Sequence, residues 1–136
     1  MLTGTSGDYD VSLALGNQLM PVQIAAAVIE SFYQSVMGRT ISYSLTNRLS
    51  TRSFVFRKGA LVLFFRCLEG GRSGCLPWPL ITMFAQYMMQ RAQTGFTGEY
   101  IGHVSGPDGV LASVTFAVAG SIAQELMDSA SDIHGP

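Results

Sequence analysis

His103 is the residue in this chain best suited to proton transfer near neutral pH, and its surroundings set what it can do. A general base needs an orienting acid and a nucleophile within reach. Glu99 lies four residues upstream, and Ser42, Ser44 and Ser53 read as ordinary strand-face serines. No GxSxG elbow occurs, so a hydrolase triad is not expected and His103 reads as structural. His134 falls in the C-terminal tail, where it is expected to be solvated. Asp8 and Asp10 share one strand face about 7 Å apart. That spacing suits paired carboxylates or a loosely held cation, and equally a solvated face. No GxxxxGK[ST] stretch is present, which excludes a P-loop. Two histidines and two cysteines, spread from Cys67 to His134, do not make a local structural zinc site of the common kinds. No catalytic residue, metal or cofactor is expected.

The second chemical feature is a segregation of charge. Arg39, Arg48, Arg52, Arg57, Lys58, Arg66 and Arg72 stand against Glu69 alone between positions 39 and 72, a local balance of +6. The rest sets Arg91 against eight acids, a balance of −7. One reading is a basic face on the middle hairpins, with Arg48, Arg52, Arg57, Lys58 and Arg66 around Phe64 as binding residues. Arginine favours forked contacts to phosphate or carboxylate. The other reading pairs these cations with Asp8, Asp10, Glu99 or Asp108 on neighbouring strands. Arg52-Ser53-Phe54-Val55-Phe56 is similar to the aromatic strand of RNA-recognition modules but lacks their glycines. Nucleic acid is therefore not the expected partner.

Cys67 and Cys75 flank Glu69-Gly70-Gly71-Arg72-Ser73-Gly74. A glycine-rich loop of that size allows a disulfide, which implies an oxidising compartment, or leaves two free thiols. A bond there contributes at most about 2–3 kcal/mol, so the core must hold the fold largely by itself.

These groups need a scaffold, and composition shows what kind. The chain has 136 residues, 48% of them apolar and only 12% charged, against roughly 25% charged in an average domain. That excludes disorder and fits one domain over residues 1–136. The uncharged run from Val11 to Ile29 is long enough for a membrane helix. Gly16, Asn17, Gln18, Pro21 and Gln23 interrupt it, so no membrane span is expected. Asp8 and Asp10 replace the basic start of a signal peptide, so none is read here.

Asp8–Leu15 alternates as a half-buried strand. Pro21 opens a helix whose Ala25, Ile29, Phe32 and Val36 form an apolar stripe, with Gly38 as its stop. Ile41–Leu45 alternates as a short strand, and Asn47–Thr51 reads as a turn. Phe54 and Phe56 begin another strand, and Lys58-Gly59 makes a hairpin to Leu61–Arg66, which is apolar on both faces. Pro77-Trp78-Pro79 opens a second helix along Leu80, Met83/Phe84, Tyr87/Met88 and Arg91, and Gly95 follows it. Tyr100, Gly102 and Val104 lie on a strand. Gly106-Pro107-Asp108-Gly109 turns into the last strand, Val110–Val118. Ser121 with Gln124 forms a capping box for a short terminal helix, and residues 131–136 read as a mobile tail. The expected fold is α+β: a mostly antiparallel sheet with two helices packed on one face, an α/β sandwich.

The Asp8–Leu15 strand with its Pro21–Met37 helix, the Lys58-Gly59 hairpin and the Pro77-Trp78-Pro79 helix start together resemble the killer-toxin-like α/β sandwiches of small secreted fungal proteins. The resemblance is one of topology. It implies a secreted, effector- or toxin-like protein and carries no functional residue across, because many members hold several disulfides.

So dry a chain leaves apolar surface exposed, and such surface marks interfaces. The expected function is non-catalytic binding of another protein or of a second copy, through Val55, Val62 and Phe64 on the sheet and Tyr33 or Met37 on the first helix. The alternative is an intracellular enzyme or small-molecule binder, with Tyr43, His103 and Arg66 as polar handles in a pocket between helices and sheet.

Overall fold

The computed structural model describes residues 2–6, 9–19, 21–46, 53–68, 76–106 and 109–119. The elements run β1 (Leu2–Ser6), β2 (Tyr9–Gln18), α1 (Val22–Leu45), β3 (Ser53–Lys58), β4 (Leu61–Cys67), α2 (Trp78–Gln93), β5 (Gly98–Gly106) and β6 (Gly109–Val118). The six strands form one sheet in the order β1-β2-β5-β6-β4-β3, and every neighbouring pair is antiparallel. Both helices lie on one face, as the α+β expectation has it. Phe32 of α1 meets Phe56 and Phe116 edge-on, and Phe84 of α2 meets Phe65.

Strand periodicity explains the layering. On β2, Val11 and Leu13 are buried while Asp10 and Ala14 are exposed. On β3, Phe54 and Phe56 point inward and Val55 and Arg57 outward. The core between helices and sheet gathers these residues with Leu63, Phe65, Tyr100, Val104, Val114 and Phe116. Burying a side chain of this size contributes roughly 1.5–3 kcal/mol, which makes the aromatic layer the main source of stability. The β3–β4 hairpin closes through Gly59 and Ala60, and Gly59 adopts φ 61°, a conformation that costs glycine nothing.

Two features differ from the sequence reading. Helix α1 does not stop at Gly38 but continues to Leu45, so Ile41–Leu45 is helical and not a strand. Tertiary contacts override the local alternation there. Thr40 is fully buried, with its hydroxyl on that of Thr82 in α2 at 2.6 Å. The Tyr43 ring packs on Trp78 with centroids 4.7 Å apart. Strand β1 pairs along β2 from Leu2↔Leu13 to Ser6↔Tyr9, and no periodic signal announced it. The second helix starts at Trp78, with Pro77 as its N-cap. The Asn47–Thr51 turn, the terminal helix from Ser121 and the 131–136 tail lie outside the described residues.

Candidate functional site

Register places the sequence-predicted polar residues. Ser53↔Arg66, Arg66↔Ser113, His103↔Ser113, Ser12↔His103 and Thr3↔Ser12 form one continuous row across all six strands. It lies on the outer face of the sheet, turned away from both helices, because inward positions alternate with it. His103 is exposed and stands between two serines, yet no hydrogen bond joins it to a serine or an acid among the described residues. Glu99, the acid nearest in sequence, is only 4% exposed and otherwise engaged. Its carboxylate accepts the Val118 N–H at 2.7 Å and the Asn17 side-chain amide at 3.3 Å, tying the end of β6 to β2. Among the described residues, His103 therefore lacks the contacts of a base paired with a nucleophile. Asp10 is exposed on β2, opposite Ser105, and Asp8 lies outside the described residues. Among the described residues no three His, Cys, Asp or Glu gather closely enough to hold a metal ion.

Tyr43 sits on the other side of the sheet. With its ring on Trp78, it shares no pocket with His103 and Arg66, and the sheet itself separates the three. The arrangement expected of a helix–sheet pocket is not assembled. In its place the core holds two buried tyrosines, Tyr33 and Tyr100, whose hydroxyls bond to each other. Burial pushes both phenols well above their ordinary range, with mutual repulsion of the ionised forms adding to the shift on Tyr100. The crevice beside them, lined by Ile29, Met88, Phe96, Gly98 and Phe116, is too narrow for a water molecule.

The described basic residues do not form one face. Arg57 is exposed on the outer side of edge strand β3, and Arg66 is half-buried in the polar row of that same side. Lys58 turns the opposite way, towards α1, where its Nζ donates to Ser35 Oγ at 2.8 Å and Ser31 Oγ at 3.3 Å. Nearby, the Arg39 guanidinium lies 5.0 Å from the centroid of the Phe56 ring. Arg48, Arg52 and Arg72 lie outside the described residues. Phe64, placed with the basic set from sequence, is 8% exposed and shares a small outer-face cluster with Val62. Cys67 closes β4 opposite Ala112, whereas Cys75, and so the pairing of the two, falls outside the described residues.

Exposed apolar surface concentrates on α1. Ile24, Val28, Ile41 and Leu45 are 64%, 52%, 43% and 79% exposed. Tyr33, one of the two helix residues singled out from sequence, is buried, and Met37 is half-buried. The signal for the correct residues was present: this helix is apolar nearly all round, so an inward stripe cannot exhaust it. On the outer sheet face Val55 and Ile101 are exposed. No helix among the described residues is long and apolar enough to cross a membrane.

The chain matches no protein-family model, no curated protein and no solved structure.

Proposed function

We propose that the chain is a small exported, non-catalytic protein that works by attaching to another protein, in the first place to a second copy of itself, through the outward face of α1. The observation that carries this reading is the set of four large apolar side chains left exposed on that helix. Their layout supports a two-fold pairing. Ile24 and Leu45 stand equally far from the midpoint between Gln34 and Ser35, as do Val28 and Ile41, and as do the small residues Ser31 and Gly38. Two antiparallel copies of α1 thus bring large residues level with large ones and small with small. An isologous interface requires such self-complementarity.

Magnitudes set the character of the complex. A half-exposed side chain of this kind regains roughly 1 kcal/mol on burial. Eight of them across a pair compare with an association cost of about 4–15 kcal/mol, so the complex is concentration-dependent rather than obligate. Sedimentation equilibrium over a range of concentrations tests it: mass must rise towards that of a dimer, and Val28→Glu with Ile41→Glu must hold it at the monomer.

Export and the Cys67–Cys75 disulfide belong to the same proposal, as does kinship with the killer-toxin-like secreted proteins. The low charge and the short glycine-rich loop support them. Alkylation of native, unreduced protein followed by mass measurement decides the cysteine state: no label on either cysteine fits export, and two labels remove that part.

A further inference from the structure

We infer that the seam between α1 and edge strand β3 is a binding site for a tetrahedral oxyanion, the phosphate group of a small ligand. The site is built from Ser31, Ser35 and Arg39 of α1 with Lys58 of β3, and Ser31 borders the helix face proposed above for pairing. Lys58 directs its ammonium onto the two serine hydroxyls, at 3.3 and 2.8 Å, and at least one of its three donors is left for another acceptor. Ser35 in turn donates to the Ser31 carbonyl at 3.1 Å, which fixes its hydroxyl. Arg39 is held over the Phe56 ring, so one face of its guanidinium is occupied while its edge N–H groups stay open.

Neither cation has a carboxylate partner among the described residues. The acid of the same helix, Glu30, accepts instead from Gln93 of α2 at 3.1 Å, on the helix's other flank. Spacing fits one ligand bridging both charges. Ser35 and Arg39 are one helical turn apart, about 6 Å. Phe56 and Lys58 are two strand residues apart, about 7 Å. The partners that hold the two cationic heads are thus one helical turn apart on α1 and two residues apart on β3, a spacing that one phosphate accepting from both cations can span. Both side chains are already restrained, one by hydroxyls and one by a ring, which lowers the ordering cost of binding.

The test is a titration of the 136-residue protein, followed by amide chemical shifts, with inorganic phosphate at constant ionic strength. Sodium acetate and sodium chloride serve as parallel arms. Saturable shifts at Ser31, Ser35, Arg39 and Lys58 are expected with phosphate, at least tenfold weaker with acetate and absent with chloride. Lys58→Met and Arg39→Gln, both exposed substitutions, should each weaken phosphate binding at least tenfold while leaving the remaining spectrum in place. Equal shifts from chloride, equal affinity for acetate, or phosphate binding unchanged in both variants would each overturn the inference.

Discussion

Gly102 on β5 shows how single residues hold this sheet together. A Cβ built there would meet the Ser12 carbonyl oxygen at 2.0 Å and the Leu13 Cα at 2.8 Å. Both are backbone atoms of β2, so no side-chain movement relieves the clash. Gly102→Ala should cost about 3 kcal/mol or more, seen as a lower urea midpoint or as failure to fold. The Tyr33–Tyr100 pair makes a second prediction. Both phenols are raised by burial, so the folded chain keeps its protons where the unfolded chain releases them. The stabilisation is complete below the unfolded value near pH 10 and is lost as pH rises beyond it. Urea midpoints measured from pH 8 to 12 should fall steeply above 10. The double variant Tyr33→Phe/Tyr100→Phe, which removes both partners at once, should flatten that fall. From the sequence, Tyr33 reads as an interface contact and Tyr100 as a strand position. Their pairing was invisible because it joins residues 67 apart in sequence.

At the scale of elements, α1 is where local signals and packing disagree. Gly38 and the alternation from Ile41 to Leu45 both read as the end of a helix. The inward series nevertheless continues through Ile29, Phe32, Tyr33, Val36, Thr40 and Tyr43, and Thr40 hid it by being polar. The Thr40–Thr82 hydroxyl contact and the tilted Tyr43–Trp78 ring contact anchor the final turns to α2. A direct consequence follows for Gly38, which is exposed within the helix, where an added methyl group would meet nothing within 4 Å. Gly38→Ala should therefore stabilise the protein by about 0.5–1 kcal/mol, measured by urea denaturation. A helix ending at Gly38 would show no such gain. The β2, β3, β4, α2, β5 and β6 elements were all legible, because their alternation or three-to-four spacing is strong and glycine or proline bounds them. Strand β1 was not: Leu-Thr-Gly-Thr-Ser carries little apolar pattern, and its place is set by pairing along β2.

For the whole molecule, one-sided coverage of the sheet decides what is left for function. Two helices seal the inner face, His103 and Arg66 are stranded on the outer one, and Tyr43 is spent on Trp78. The dryness of the chain pointed to leftover apolar surface, but composition does not say where such surface lies. Of the residues first singled out, Tyr33, Val62 and Phe64 are buried, while the outward row of α1 carries the exposure. The basic cluster was legible as a count but not as a shape, since strand alternation sends Arg57 and Lys58 to opposite sides of β3. The most direct test of the account is sedimentation equilibrium of the native chain beside its Val28→Glu/Ile41→Glu variant, with thermal midpoints measured on both. The account predicts self-association of the native protein that rises with concentration, a variant that stays monomeric, and midpoints that agree at dilute monomer. A native chain that remains monomeric at its highest soluble concentration, or a variant that associates equally well, contradicts it.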